Sequence, residues 1–529
     1  MVQKKLQVWL PLMFAIVMIA GMAIGFKLRE NTRTTGSFFY REKRSPLQQV
    51  LDLINLKYVD PVKTDTLADE AIEQMLSHLD PHSVYIPPVQ LSEVNEDLQG
   101  EFQGIGVEFH ILNDTVNVVN VLEGGPSEKA GLLVGDQFLT LQDQPLTGKN
   151  LTPDKIRKLL RGPGATTVSL SILRNKQVII FSIKRGSIPL PSLDAAYMLD
   201  KETGLIRLNK FSKTTYEEFM SSLEKLQGQG MKKLILDLRG NGGGLLDEAV
   251  DIVDQFLDEG KLIVYTEGNK MPREEFKSKR PGLFETGKLA VLTDEGSASA
   301  SEVVAGALQD WDRATIIGRR TFGKGLVQEQ FDLADGAALR LTVARYYTPS
   351  GRSIQKTYKG MGDYRGEIMN RYHHGDFLNA DSNHVQQGNA YKTNSGRVVY
   401  GGGGIMPDVF VPYDTSASSP ILTSLYLSSS INNFIYTYFI RHKDELKKYR
   451  SALEFVANFK GEEMLWQEVV AFAAKEKINL STLPAAEKKI ALRRLMALIA
   501  RQPWHTEGYY EVMNINDPVV KKALMELDK

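Results

Sequence analysis

The chain contains no cysteine. That absence excludes a cysteine protease, a thiolate zinc site and any disulfide, and it leaves the redox compartment open. An excess of either charge is also missing: 64 Lys and Arg against 64 Asp and Glu give a formal net charge of zero. Such a balance supplies no bulk attraction to nucleic acid, which is not expected as a partner. Histidine is scarce, eight residues in 529, and none lies near the serine- and glycine-rich segments in sequence. Hydrophobic residues make up 42% and charged residues 24%, enough for sizeable cores. The length implies three or four domains rather than one.

Residues 8–26 carry no charge; Lys4 and Lys5 precede them and Lys27 and Arg29 follow. Nineteen residues just suffice to span a bilayer as a helix. The expectation is a single-pass anchor in a bacterial inner membrane, with the rest of the chain periplasmic or otherwise extracytoplasmic. A cleaved signal peptide ending near Gly21-Met22-Ala23 is the alternative. Residues 30–45 read as a linker. Residues 46–100 read as a helical segment, with apolar stripes through Leu47, Val50, Leu51 and Ile54 and through Leu67, Ala71, Met75 and Leu79. His78 and His82 stand four apart, but Pro81 between them spoils a helical ligand pair, so they read as turn residues.

Residues 101–186 read as a compact β-rich module. The loop Gly104-Ile105-Gly106-Val107 leads into alternating strands, with Ala130-Gly131-Leu132 and Gly135-Asp136 downstream. Successive loop N–H groups can cradle a terminal carboxylate, and an extended peptide can add to the neighbouring strand edge. The pattern resembles a PDZ domain of the circularly permuted bacterial kind.

Residues 187–412 alternate strand and helix. Gly204–Asn209 and Lys232–Leu238 bracket the amphipathic stretch Tyr216–Leu226, and DLRGNGGG (Asp237–Gly244) joins the second strand to another helix. Lys288–Thr293 is a further strand, and it runs into GSASASE, which holds Ser297, Ser299 and Ser301. Both small-residue turns fall between a strand and a helix, where active sites of open α/β sheets are built. A serine at a helix mouth sits among unpaired N–H groups at the positive end of the dipole. Lys324, between two glycines, can be desolvated and its pKa lowered toward that of a general base. These features read as a serine–lysine hydrolase, with Ser299 attacking and Lys324 taking its proton. DLRGNGGG has neither dinucleotide-fingerprint spacing nor a P-loop Lys-Ser/Thr. Its remaining chemical use is an oxyanion hole, formed with the Ala300 N–H; the plain alternative is a structural turn with Asp237 and Arg239 paired inside the fold. Residues 355–400 read as a long polar insertion beside the site, containing His373, His374 and His384. A histidine-dependent hydrolase using His373 or His374 as base is a further alternative. Residues 413–529 read as a helical region without evident chemistry.

SASASE, the 25-residue step to the lysine of FGKG, the upstream DLRxNxGG, and GGxxPD at Gly403–Asp408 together resemble the carboxy-terminal processing, or tail-specific, proteases. The resemblance spans roughly Pro46 to Pro412, and the PDZ-like module occupies that family's usual place. It implies that the middle serine, Ser299, is the nucleophile, that Lys324 is the base and that Gln328 orients it. It implies oxyanion donors at Gly243 or Gly244 and at Ala300, and a substrate C-terminus received by Gly104, Ile105, Gly106 and Val107. The implied partners are polypeptides with free C-termini; no metal and no organic cofactor is needed. The expected architecture is α+β and multidomain: a membrane helix, a helical segment, a permuted PDZ module before an α/β protease core, and a helical C-terminal region. A catalytically inactive, membrane-tethered PDZ scaffold is the alternative from a binding class.

Overall fold

A computed structural model describes residues 2–31, 45–122, 124–358, 361–379, 388–415, 419–428 and 430–529. Two compact units divide at Met75–Leu76. The first holds a helix over Val2–Asn31, with Pro11 inside it, and a helix over Pro46–Lys57, which Ser45 caps through its Oγ. Among the described residues no helix is long and apolar enough to cross a membrane. The charge-free run at 8–26 falls partly, and the linker mostly, outside the described residues and side chains.

In the second unit, the β-module's sheet follows five antiparallel strands, β1 (Val107–Leu112), β2 (Thr115–Val121), β3 (Gln137–Leu141), β4 (Thr167–Arg174) and β5 (Gln177–Lys184), paired in that order, with the short strand Gln144–Pro145 added beside β3. A helix, α1 (Pro153–Leu160), turns Ile156 and Leu160 into the module's own core, which includes Val116, Val118, Phe138 and Leu170. β1 lies at the sheet edge, so its outer backbone groups are open to another strand.

The central sheet runs β6 (Leu193–Met198), β7 (Thr203–Leu208), β8 (Lys233–Asp237), β9 (Lys288–Thr293), β10 (Thr315–Gly318) and β11 (Val409–Phe410). β6 pairs with β7 antiparallel; the other pairs are parallel. Parallel strands covered on both faces need continuous apolar runs, and LILD and LAVLT supply them. The two-residue side-chain period then divides each strand between two cores. Leu234, Leu236, Leu289, Val291 and Ile316 face helices α2 (Thr215–Gly228), α3 (Leu246–Asp254) and α4 (Ala300–Asp310). Ile235, Ala290, Leu292 and Ile317 face away, and they pack on Val519, Val520, Ala523 and Leu527 of the chain's last helix.

That helix belongs to the C-terminal region, whose main elements are α5 (Ile431–Leu446), α6 (Ala485–Asn514) and α7 (Pro518–Leu527). Burying two valines and a leucine on the sheet contributes about 1.5–3 kcal/mol each, so α7 is a layer of the central-sheet fold itself. The 355–400 insertion is more ordered than a long loop. Met361–His373 is helical, and Ala390–Lys392 pairs with Val398–Tyr400. Arg371 from this helix donates to the carbonyls of Arg320 and Thr321, so the insertion packs against the loop that leads to Lys324. His384 lies outside the described residues.

Candidate active site

The three serines are separated by what their hydroxyls do. Ser297 Oγ donates to the Leu238 carbonyl at 2.8 Å, and Ser301 Oγ donates to the Asn241 carbonyl at 2.9 Å. Both therefore stitch the helix mouth to the glycine turn. Ser299, between them, makes neither contact, and its side chain lies beside the Tyr346 phenol. Burial pushes the Tyr346 phenol up to about 12, so this tyrosine stays protonated.

Ser299 caps α4 with φ +55° and ψ −116°. A non-glycine residue in that region carries about 1–3 kcal/mol of backbone strain, which surrounding contacts must hold. Two features do so. The Ser299 N–H donates to Glu302 Oε2 at 2.9 Å. The opposing residue is Gly243, φ +95°, where a Cβ would lie 2.7 Å from the Ser299 Cβ and 2.9 Å from the Ala300 nitrogen. Only glycine permits this approach.

Glu302, fully buried, ties Ser299 to Lys324. Its Oε2 accepts the N–H groups of both Ser299, at 2.9 Å, and Lys324, at 2.8 Å. One oxygen reaching both nitrogens keeps them within about 6 Å of each other. Its Oε1 accepts the Thr321 hydroxyl at 2.5 Å and the Gly323 N–H at 2.8 Å. Burial raises its pKa from 4.5 to about 7, and these four donors oppose the rise.

The Lys324 amine lies below its ordinary pKa, chiefly because burial desolvates it, with Arg340 adding to the depression. Its Nζ donates to Gln328 Oε1 at 3.0 Å. The other end of that amide is fixed as well: Gln328 Nε2 donates to the His82 carbonyl. Gln328 sits in Leu326–Asp332, whose pairing with Ala338–Tyr347 shifts register between Val327 and Gln328. Such a bulge re-aims a side chain. His82 itself is held near 4 by burial and by Lys324, and its Nε2 pairs with the Tyr364 hydroxyl at 2.6 Å. His82 is thus a turn residue that nevertheless borders the site. His373 and His374 are exposed, and His374 Nδ1 pairs with the Asn370 carbonyl. Among the described residues no group of three or more His, Asp or Glu side chains is placed to hold a metal.

The Gly243 N–H is already given to Asn241 Oδ1 at 2.9 Å. Of the two glycines named as oxyanion donors, Gly243 is therefore the wall against Ser299. Among the described residues no acceptor meets the N–H groups of Gly244 and Ala300. Asp237 and Arg239 pair inside the fold at 2.7 Å, and Arg239 also reaches Asp517 at 2.8 Å. Glu302, Tyr346 and His82 were missed from sequence. The first had a signal, a glutamate three residues after a helix-capping serine; the other two arrive from remote strands and turns and had none.

In the β-module, Gly104 to Val107 lead directly into edge strand β1. A cavity of about 280 Å³ lies between them and α1, lined by Phe102, Ile105, Val107, Phe109 and Leu160, with Arg157 and Arg161 at its side. Pro153, Arg157 and Leu160 recur at helical spacing, so one face of α1 forms the groove wall.

Residues 202–361 match the model of peptidase family S41, and residues 103–184 match that of the PDZ domain. Residues 421–505 match a family of unknown function (DUF8443). A probable CtpA-like serine protease of Staphylococcus epidermidis is 36% identical over 320 residues, covering 59% of this chain and 64% of the relative. One of Staphylococcus aureus strain N315 is 37% identical over 311 residues, 58% of this chain and 62% of the relative. The chain thus spans somewhat under two thirds of the length of these relatives. Among solved structures, the photosystem II D1 C-terminal processing protease aligns at 29% identity, with a TM-score of 0.34, over 58% of this chain and 84% of that one. The chain carries an S41 peptidase region preceded by a PDZ domain, as its motifs implied.

Proposed function

We propose that this chain is a serine endopeptidase that receives polypeptide C-termini at its PDZ domain and cleaves unfolded or extracytoplasmic proteins with a Ser299–Lys324 dyad. The observation that carries this reading is the single Glu302 oxygen shared by the Ser299 and Lys324 backbones. The desolvated amine, aimed by Gln328, supports it.

Neutral Lys324 takes the Ser299 proton as Oγ attacks the scissile carbonyl. The negative oxygen that forms is met by the N–H groups of Ala300 and Gly244, each donor being worth about 3 kcal/mol in comparable sites. Lys324 then returns its proton to the leaving amine, and the C–N bond breaks to give an ester on Ser299. Water, deprotonated by Lys324, attacks that ester and releases the new C-terminus. The Gly104–Val107 loop binds the substrate carboxylate, and the tail extends β1 as an added strand.

The test is cleavage of an unfolded protein with an apolar C-terminus by wild type, Ser299→Ala and Lys324→Ala. Both variants should be inactive, and an acylating probe should label wild type at Ser299. Full cleavage by either variant removes the dyad; a wild type that binds tails but neither cleaves nor takes the probe is a scaffold. We also propose that residues 8–26 anchor the chain in an inner membrane with the remainder extracytoplasmic, on the strength of the charge-free run and its flanking lysines. Retention of the full chain in alkali-washed membranes tests this; release into the wash overturns it.

A further inference from the structure

The PDZ module is joined to the core by two chain segments, and these pair into one narrow ribbon, Glu101–Gly104 against Gly186–Pro189. A module held only by such a ribbon is expected to swing. Here it is held again by the C-terminal helices. Buried Tyr436 of α5 donates its hydroxyl to the Val118 carbonyl of β2 at 3.2 Å. Val134, from the β2–β3 turn, packs into the apolar core of the C-terminal helices, and Ile440 Cδ1 comes within 3.8 Å of a Cβ position at Gly135. The His110 ring meets Tyr436 edge-on, with centroids 6.2 Å apart. A small cavity of about 100 Å³ lies within this contact, lined by His110, Asn120, Arg501 and Gln502 among others.

One helix carries both halves of the arrangement. Before its break at Trp504 and His505, α6 lines that cavity with Leu498 and Arg501. Beyond the break it lies on the protease sheet. Glu507 accepts the Ala196 N–H at 3.0 Å, and Asn514 donates to the Tyr197 hydroxyl at 2.9 Å. Asp517 then pairs with Arg239, two residues before Asn241 of the glycine turn.

We infer that the region over residues 419–529, for which no role is assigned, clamps the PDZ groove at a fixed separation from Ser299, so that the scissile bond is selected by its count of residues from the substrate C-terminus. This rests on the proposed peptidase reading. A fixed carboxylate site and a fixed nucleophile leave an extended tail one length to span. A freely hinged module would accept many lengths.

The natural absence of cysteine allows paired spin labels in the full chain at Lys176→Cys on the PDZ module and Glu224→Cys on the core, both exposed. A series of unstructured substrates, sharing one apolar tail and differing only in spacer length before it, is digested in parallel. The expected result is one narrow label distance, unchanged by an apolar-tailed peptide, and cleavage that stays at the same count from the C-terminus as the spacer grows. Val134→Asp, or Ile440→Ser should the first fail to fold, should broaden the distance and scatter cleavage over several bonds. Cleavage that follows local sequence whatever the spacer, or a wild-type distance that shifts with peptide, overturns the clamp. Absence of all cleavage would remove the peptidase reading instead, and the label distances would still decide whether the module is clamped.

Discussion

Replacing Glu302 by glutamine separates positioning of the dyad from stability of the fold. The side chain keeps its shape, but an amide offers one oxygen where the carboxylate offers two. It can satisfy either the Ser299 and Lys324 N–H groups or the Thr321 and Gly323 side. Thr321 can turn its hydroxyl to accept, so the NH2 group settles there and leaves the Gly323 N–H without an acceptor. An unpaired buried donor costs about 1–3 kcal/mol. In the other direction, ionising a buried carboxyl whose pKa has risen from 4.5 to about 7 already weighs about 3 kcal/mol against the fold above pH 7. Glutamine never carries that burden. The two effects offset to within about 2 kcal/mol, so the melting temperature should move by only a few degrees. Activity should fall far more. Loss of the charge loosens the oxygen that holds both backbones, and misplacement by about 1 Å costs roughly 100-fold. The pH profile carries the decisive sign. The Glu302 charge raises the Lys324 pKa in opposition to burial. Removing it lowers that pKa further, so the ascending limb of kcat/KM should move to lower pH even as its plateau drops. The assay is cleavage of an unfolded, apolar-tailed protein across pH, beside thermal melts. Activity within threefold of wild type, or a limb displaced to higher pH, would refute the reasoning.

Two further outcomes follow from the same geometry. Gly243→Ala places a Cβ 2.7 Å from both the Ser299 Cβ and the Ala298 carbonyl oxygen, at φ +95°. It should lower kcat about 100-fold while leaving tail-peptide affinity at the PDZ groove unchanged, as peptide titration would show. Lys324→Met should raise the melting temperature at neutral pH, because the wild-type fold desolvates an amine that the unfolded chain keeps protonated. The folded-state amine pKa is depressed, so the unfolded chain binds the extra proton and wild-type stability rises with pH. The advantage of Met over Lys should therefore fade as pH climbs toward 10.5; a gain independent of pH would sink this account.

The candidate site was legible in the sequence because each motif is local. A strand, a turn of small residues and a helix follow one another within about a dozen positions, and periodicity marks each change. Ser299, Lys324 and Gln328 could be named without coordinates, as could the Gly104–Val107 loop. The cost of reading locally shows at Gly243, which was named with Gly244 as a donor. Whether its N–H is free depends on where the Asn241 side chain turns, and no spacing records that. It shows again in residues 355–400, where weak apolar periodicity concealed a helix anchored by Arg371.

What the chain order determined alone is the set of candidate groups: a serine at a helix mouth, a lysine between glycines, and an edge strand behind a glycine loop. Folding in three dimensions decided how those groups are held. His82 reaches the site from a turn early in the chain and Tyr346 from the strand Ala338–Tyr347, and Glu302 acts on two segments that only folding brings together. The C-terminal helices gave no chemical signal, because their contribution is contact. They cover the far face of the central sheet and grip the PDZ module, and residues more than 300 positions apart, such as Val118 and Tyr436, meet only when the whole chain is packed.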